Sequence, residues 1–168
     1  MERGSKKVLL IVDSSSVLFS CFIFSEKIRN LMLNPKLVLY TPDWAIYELL
    51  KYFDEKIVKR VKKKGVSREE LMLAVYDTIQ KLIVIPKELY INNLSEAIEI
   101  ARQFDEKDAP FIALALKLNV PIWTGDKKLI EFGLKTGKYL ALDTQAVEKL
   151  LKGESLNDIK EELKNRYL

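Results

Sequence analysis

Residues 7–16 read KVLLIVDSSS, an unbroken apolar run that ends in a carboxylate and three serines. A run of β-branched and aliphatic residues without polar alternation is typical of a strand buried on both faces of a parallel sheet. The serines after Asp13 are good N-caps, and apolar residues at helical spacing continue to about Leu33. This stretch therefore predicts a strand that leads directly into a helix, with Asp13 at the carboxyl end of the strand.

The alternation of strand and helix continues along the chain. Further strands are predicted at residues 37–40, 82–85, 120–124 and 139–142. Helices are predicted at residues 43–64, from 67 onward, and at about 94–103, 108–118 and 156–168. Such alternation predicts a doubly wound α/β domain, in which ligands bind outside the carboxyl ends of the strands. Asp13 and Asp126 lie at two such ends.

The predicted helix at residues 43–64 has a regular apolar stripe. Its members are Ile46, Leu50, Phe53, Ile57 and Val61. At about 100° per residue, Glu48 lies nearly opposite this stripe. We therefore expect the stripe to face the core and Glu48 to avoid it, as a solvated surface glutamate does.

The size and composition suit one domain. The chain has 168 residues, of which 48% are hydrophobic. We expect a core at about residues 7–143 and a helical extension at about 144–168, packed on the domain or on a partner. The first seven residues are largely polar, and no stretch reaches the roughly 20 apolar residues of a membrane span. A cytoplasmic protein without a membrane partner is expected.

The residue inventory excludes several reaction classes. The chain contains no histidine and one cysteine. A Ser-His-Asp triad, a histidine acid/base pair and a histidine-ligated zinc site are therefore excluded. The net charge of +4 permits a polyanionic partner without requiring one.

Four acidic residues stand out, and each also has an ordinary structural interpretation. Asp13 suits the N-cap of the first helix, and Asp108 suits the same role because Pro110 falls in the first helical turn. Asp126 suits a turn, since Gly-Asp-Lys-Lys resembles a common loop. Periodicity alone gives Glu48 no role as a ligand. Taken singly, each residue leaves both interpretations open.

Four segments together resemble the PIN-domain family, over the range from Val8 to about Leu142. They are the strand ending in Asp13-Ser14-Ser15, the Thr41-Pro42 start of a helix that carries Glu48-Leu49, the block Asp108-Ala109-Pro110-Phe111-Ile112-Ala113-Leu114-Ala115, and Pro121-Ile122-Trp123-Thr124-Gly125-Asp126. The resemblance is to VapC-like metal-dependent ribonucleases. It implies a PIN-like three-layer α/β domain, with a central, mainly parallel five-stranded sheet flanked by helices.

The resemblance also implies a site and a reaction. The catalytic, metal-binding quartet would be Asp13, Glu48, Asp108 and Asp126, with Ser15 and Thr124 in supporting positions. Mg²⁺ or Mn²⁺ would be the cofactor, because these hard cations prefer oxygen ligands. Four close carboxylates repel one another, so at least one is expected to have a raised pKa without metal. The implied reaction is endonucleolytic hydrolysis of RNA, leaving a 5'-phosphate and a 3'-hydroxyl.

One position departs from the family pattern. Many members have another acid two residues after the last aspartate, where this chain has Lys128. Lys127 and Lys128 suit either phosphate contacts or a solvated turn. Further candidate nucleic-acid ligands follow the Glu48 helix, namely Lys59, Arg60, Lys62, Lys63 and Lys64. These cations suit either a phosphate-binding edge or the favourable opposition of a helix dipole.

The expected partner is single-stranded RNA, with Trp44 and Tyr47 either stacking on bases or packing in the core. The resemblance adds an antitoxin or RNP partner and a homodimer as expectations, and a toxin and an RNA-processing role both fit the sequence. An alternative within the same fold is a catalytically weak or inactive RNA-binding module of a larger complex, which Lys128 leaves open. A receiver-type phosphoacceptor domain fits less well, because residues 9–13 offer no early acidic pair.

Overall fold

A parallel five-stranded sheet forms the centre of the fold. The computed structural model describes residues 6–20, 26–61 and 65–168, without the side chain of Ser15. The strands are β1 (Val8–Val12), β2 (Leu37–Pro42), β3 (Leu82–Ile85), β4 (Ile122–Trp123) and β5 (Ala141–Leu142). Their order is β3-β2-β1-β4-β5, and every pairing is parallel. The predicted α/β fold with a parallel five-stranded sheet is confirmed.

Helices alternate with the strands and flank the sheet. They are α1 (Glu26–Met32), α2 (Asp43–Lys51), α3 (Lys59–Val61), α4 (Arg68–Gln80), α5 (Lys87–Ala101), α6 (Ala109–Leu118), α7 (Lys127–Thr136), α8 (Thr144–Leu151) and α9 (Leu156–Tyr167). Two π-helical segments occupy Ser14–Leu18 and Phe53–Val58, and a short 3₁₀ helix occupies Glu106–Asp108. Over the described ranges, no helix combines the length and the apolar character that a membrane crossing requires.

The strand order creates a switch point beside β1. The chain places β2 and then β3 on one side of β1, and it returns to place β4 and β5 on the other. Ile11 pairs with Ile122 and Val12 with Trp123, so β1 and β4 end side by side. Crossovers leave a crevice at such a point, outside the carboxyl ends of the strands. The residues that follow Val12 and Trp123 are therefore brought to one crevice.

The C-terminal extension packs on the rest of the fold. Ile159 and Leu163 of α9 are almost completely buried within the main core. Arg166 and Tyr167 reach the carboxylate of Asp143, at distances of 2.5 and 2.9 Å. Burial of apolar groups is the main stabilising contribution here, and the polar contacts fix the register of the helix against α8.

The region after β2 corrects the predicted helix at residues 43–64. Helix α2 ends at Lys51, the π-helical segment follows Tyr52, and residues 62–64 lie outside the described range. Leu50, placed in the core by the predicted stripe, is 41% exposed, whereas Ala45, Glu48 and Leu49 are buried. The stripe prediction for Leu50 and the prediction of a solvated Glu48 are both wrong.

A change of helical phase explains this correction. The buried residues of the region recur every fourth position: Ala45, Leu49, Phe53, Ile57 and Val61. In an α-helix, four residues overshoot one turn by about 40°, so this series would wind around the helix. The wider turn of a π-helix compensates for that drift and keeps the later residues on one side. Ala45 and Leu49 therefore set the buried face of α2, and Glu48, adjacent to Leu49, is buried with them.

Other predicted boundaries shift by smaller amounts. In the helix expected from Ser14 to about Leu33, the first turn is π-helical and α1 covers Glu26–Met32, while residues 21–25 lie outside the described range. The helix expected at 94–103 begins earlier, at Lys87, directly after Pro86. The fourth and fifth strands are shorter than predicted, with two paired residues each. Proline sets the start of α5, since its fixed φ suits the position before a helix.

Candidate active site

Asp13 lies at the carboxyl end of β1 and is 1% exposed. Its backbone N–H donates to the carbonyl oxygen of Trp123 at 3.0 Å, which extends the pairing of β1 with β4. Its Oδ2 accepts hydrogen bonds from Ser16 Oγ at 2.8 Å and from Thr124 Oγ1 at 2.7 Å. Two hydroxyls from separate segments thus orient one carboxylate at the switch point.

Ser16 and Thr124 connect Asp13 to the segment after β4. Ser16 Oγ also accepts from the backbone N–H of Gly125 at 2.8 Å, and Thr124 Oγ1 accepts from that of Asp126 at 3.0 Å. The supporting role predicted for Thr124 stays a prediction, but its hydroxyl does contact Asp13. The side chain of Ser15, the other predicted supporting residue, lies outside the described part. Ser16 was missed, although its spacing of three residues from Asp13 is that of a capping box.

Asp126 begins α7 and acts as its N-cap. Its Oδ1 accepts from the backbone N–H groups of Lys128 at 2.9 Å and Leu129 at 3.5 Å. This contact corrects the interpretation of Gly-Asp-Lys-Lys as a loop, because the two lysines form the first turn of a helix. Within the described residues, Oδ2 of Asp126 accepts no hydrogen bond. One carboxylate oxygen therefore caps the helix and the other is available to a ligand.

Glu48 is 6% exposed and faces the same crevice from α2. Its Oε1 accepts from Ser14 Oγ at 3.4 Å. Burial raises the pKa of Glu48, and repulsion from Asp13 adds to that rise. The Ser14 hydroxyl and the cations of Lys107 and Lys56 act in the opposite direction. Lys107 and Lys56 are therefore close enough to act on Glu48, which the sequence did not indicate.

Asp108 is the most perturbed acid of the group. It is 7% exposed, and its Oδ2 is buried without a hydrogen-bond partner within the described residues. It occupies the N-cap position of α6, but its side chain makes no capping hydrogen bond. Burial raises its pKa to about 8, and repulsion from Asp13, Asp126, Asp105 and Glu48 contributes. The capping interpretation of Asp108 therefore fails for its side chain.

The four predicted acids thus meet in one electrostatic cluster, hereafter the acidic cluster (Asp13, Glu48, Asp108 and Asp126). Each of the other three raises the pKa of Asp108, as expected for carboxylates that share a crevice. In the described part of the chain, no group of three or more His, Cys, Asp or Glu side chains is arranged to hold an ion as it stands. The unsatisfied Asp108 oxygen and the all-oxygen donor set suit a hard divalent cation, which would draw these carboxylates together.

Comparison with known proteins identifies the family. A family model described as PIN domain matches residues 11–164. The chain belongs to the PIN-domain family. The crystal structure of PAE2754 from Pyrobaculum aerophilum is a structural neighbour, with a TM-score of 0.58 and 16% identity over 88% of this chain and 91% of that one. At this identity the likeness shows the shared fold alone. No curated protein sequence matches the chain.

PIN domains are generally nucleases, and divalent metals usually serve them as cofactors. The family match covers Asp13, Glu48, Asp108 and Asp126, which stay predicted site residues. The VapC-like subgroup also stays a prediction. The structure places the acidic cluster of this PIN domain at the switch point, where the α/β topology predicts a ligand site.

The predicted basic residues of the PIN domain differ in their relation to the acidic cluster. Lys127 and Lys128 are exposed and lie directly after Asp126. Lys59 and Arg60 are exposed on the short helix α3. Lys62, Lys63 and Lys64 lie outside the described residues. A phosphate-binding role for each of these cations stays a prediction.

Replacing Thr124 with valine is expected to lower the free energy of unfolding by about 1–3 kcal/mol. Thr124 is fully buried, so valine fits the same space but leaves the Asp126 N–H without its acceptor and Asp13 with one donor fewer. Urea denaturation at neutral pH measures the change. Thr136→Val, at an exposed position on α7, is the control. Equal losses in the two variants would contradict the structural role of the Thr124 hydroxyl.

Proposed function

We propose that this PIN domain is a Mg²⁺- or Mn²⁺-dependent endoribonuclease that hydrolyses phosphodiesters of single-stranded RNA. The observation that carries the proposal is the state of Asp108, a buried carboxylate with an unsatisfied oxygen beside three other acids. Burying an acid without a partner and against like charges destabilises a fold. Such an arrangement is typical of sites where a ligand supplies the missing positive charge.

The four carboxylates have separate positions in the proposed site. Asp13 is held by Ser16 and Thr124, Glu48 is approached by Ser14, and Asp126 keeps its Oδ2 oxygen available while capping α7. These contacts hold each carboxylate at the crevice before a cation arrives, and the cation would then draw the carboxylates together. When bound, the cation supplies an activated water and neutralises charge on the phosphodiester.

No histidine is needed in this scheme. The side chains orient the cation and the scissile phosphate, and the exposed ammonium groups of Lys127 and Lys128 lie next to Asp126, where a phosphate chain would pass. Contacts of this kind position a nucleic acid without reading its sequence. The toxin-type or RNA-processing role, the antitoxin or RNP partner and the homodimer stay predictions.

Incubation of the purified protein with labelled single-stranded RNA tests the proposal. Cleavage is expected with Mn²⁺ or Mg²⁺ and is expected to stop when EDTA removes the cation, because four carboxylates alone repel the phosphodiester. Addition of excess Mn²⁺ after EDTA should restore cleavage. Equal cleavage with and without EDTA would show that the activity does not depend on a cation, and no cleavage under any condition would contradict the proposal.

A second candidate is a catalytically weak RNA-binding module of the same fold. Two features favour it: Lys128 stands where the resemblance to the family implies another acid, and the described carboxylates are not arranged around one ion as they stand. Calorimetric titration with Mn²⁺ separates the two candidates. A nuclease is expected to bind Mn²⁺ with a measurable heat. A pure RNA-binding module is expected to show no heat of Mn²⁺ binding and to bind RNA in the absence of Mn²⁺.

A further inference from the structure

A cavity of about 630 Å³ lies beside the acidic cluster. Its walls come from α2, α5 and the segment at residues 106–110. Trp44 and Tyr47 of α2 form an aromatic side, and Leu94 and Ile98 of α5 are among the apolar lining residues. The volume is in the range of pockets that bind small organic groups, which are lined mainly by apolar and aromatic side chains.

Two of the three walls also carry members of the acidic cluster. Trp44 lies one helical turn before Glu48 on α2. Lys107 and Ala109, which line the cavity, are the immediate neighbours of Asp108. Lys107 also lowers the pKa of Glu48, so its ammonium lies within electrostatic reach of that carboxylate. Residues that line the cavity, Tyr47, Lys107 and Ala109, therefore adjoin Glu48 and Asp108 directly in the chain.

The aromatic side of the cavity offers a stacking surface. The ring centroids of Trp44 and Tyr47 are 5.2 Å apart, with an interplanar angle of 31°. Tyr47 is 51% exposed, and the Lys51 ammonium lies 5.6 Å from its ring centroid. The indole N–H of Trp44 is buried and has no acceptor within the described residues. An exposed aromatic ring supported by a second ring is the arrangement on which unpaired bases stack.

The rim of the cavity carries two acids, Asp43 and Glu106, and two cations, Lys87 and Lys107. Asp43 is engaged by Tyr90 Oη at 2.5 Å and by the backbone N–H of Lys87 at 3.0 Å, so it ties α2 to α5. Glu106 lies 3.6 Å from Arg102. Within the described residues, the exposed ammonium groups of Lys87 and Lys107 form no salt bridge. The two acids thus have hydrogen-bond or salt-bridge partners within the protein, whereas the two lysines can contact a phosphate.

We propose that this cavity binds an unpaired nucleobase of the strand whose phosphodiester lies at the acidic cluster, with Tyr47 as the stacking residue and Lys87 and Lys107 beside the adjoining phosphates. The inference rests on the proposed function for the identity of the ligand. An apolar, aromatic cavity with two exposed lysines at its rim matches a nucleotide, which presents a flat π-face next to a phosphate. A base held in a duplex cannot enter it, so the cavity selects single-stranded RNA.

Direct binding, measured without catalysis, tests this inference. Fluorescence anisotropy in EDTA gives the affinity for a labelled single-stranded RNA of about 10 nucleotides, a length within the usual site size. Tyr47→Ala is expected to weaken binding about tenfold, the loss typical of removing one base-stacking contact. Tyr76→Ala is the matched control, because Tyr76 is 50% exposed on α4 and does not line the cavity. Thermal unfolding of both variants checks that the fold is unchanged.

Abasic oligonucleotides separate base stacking from a general electrostatic effect. Removing a base at one particular position of the strand is expected to weaken RNA binding by wild-type protein. The same removal is expected to have no further effect on binding by Tyr47→Ala. Equal RNA affinities of Tyr47→Ala and Tyr76→Ala would overturn the inference. A loss of affinity that is the same whichever base is removed would also overturn it. A protein ligand would then be the better occupant of the cavity. Binding is measured in EDTA and so does not depend on cleavage. If affinity falls on removal of a particular base but no Mn²⁺-dependent cleavage is found, the result would support the base-binding cavity and contradict only the proposed nuclease activity.

Discussion

Asp13→Asn is expected to reduce Mn²⁺-dependent cleavage of single-stranded RNA by about 10³-fold or more. Asparagine has the same shape and its amide oxygen can still accept from Ser16 and Thr124, so the local hydrogen bonds persist. The negative charge is lost, and with it the contribution of Asp13 to holding a divalent cation at the end of β1. The initial rate of cleavage of a labelled RNA, measured with saturating Mn²⁺, gives the effect.

A surface variant and a binding measurement accompany this prediction. Asp77→Asn removes a charge from an exposed position on α4, where the carboxylate pairs with Lys81 at 3.3 Å, and is expected to cleave at the wild-type rate. Calorimetry should show weaker Mn²⁺ binding by Asp13→Asn than by Asp77→Asn. Wild-type cleavage by Asp13→Asn would remove Asp13 from the site and with it the proposed mechanism.

Asp108→Asn is expected to stabilise the metal-free protein at alkaline pH. The folded-state pKa of Asp108 is about 8, above its ordinary value of 3.8. Between these values the folded protein binds a proton that the unfolded chain has released, so wild-type stability falls as pH rises from about 4 to about 8. Asparagine is neutral throughout and avoids this loss. The gain of the variant over wild type should therefore grow between about pH 5 and about pH 8, by on the order of 3 kcal/mol.

Urea denaturation in EDTA at several pH values measures this difference. Asp158→Asn, at an exposed position on α9, is the control and should show no such pH-dependent gain. Added Mn²⁺ is expected to stabilise wild type most at alkaline pH, because the cation relieves the repulsion among the four carboxylates. A constant difference between Asp108→Asn and wild type across this pH range would mean that Asp108 is not buried among like charges.

These two predictions separate the roles of neighbouring acids. Asp13 is satisfied by two hydroxyl donors, so its loss should affect cation binding and chemistry more than stability. Asp108 has a buried oxygen without a partner, so its charge should destabilise the protein until a cation arrives. A stability gain together with a loss of activity is the trade-off expected where a site stores electrostatic repulsion.

Most of the fold could be predicted from local patterns in the sequence. The apolar run before Asp13 and the four later segments each formed a parallel strand, and Leu10, Ile11 and Val12 of β1 are fully buried, as a strand covered on both faces requires. Leu9 of β1 and Ile83 and Val84 of β3 are exposed, so not every apolar strand position is covered. The exclusion of histidine chemistry needed only the residue inventory. The ends of β4 and β5 were harder to predict, since the pairing partner decides how many residues of an extended segment enter the sheet.

The site could be predicted only in part from local patterns in the sequence. Asp13 and Asp126 follow predicted strands, so topology alone brings them to one crevice. Helical periodicity placed Glu48 on the wrong face, because a template of about 100° per residue cannot anticipate a π-helical turn, whereas the family resemblance placed it among the site residues. Ser16 was missed because its hydroxyl acts on Thr124 and Gly125, more than a hundred residues away in the chain.

The sequence by itself determined the alternating α/β architecture, the absence of histidine chemistry and the positions of two carboxylates at strand ends. These properties depend on residue type and on spacing within one element, and both can be seen in a short stretch of the sequence. The tertiary structure alone decided that Glu48 is buried, that Asp108 keeps an unsatisfied oxygen among like charges, and that a cavity adjoins both. Burial and electrostatic repulsion depend on which distant segments pack together, and that information exists only once the chain has folded.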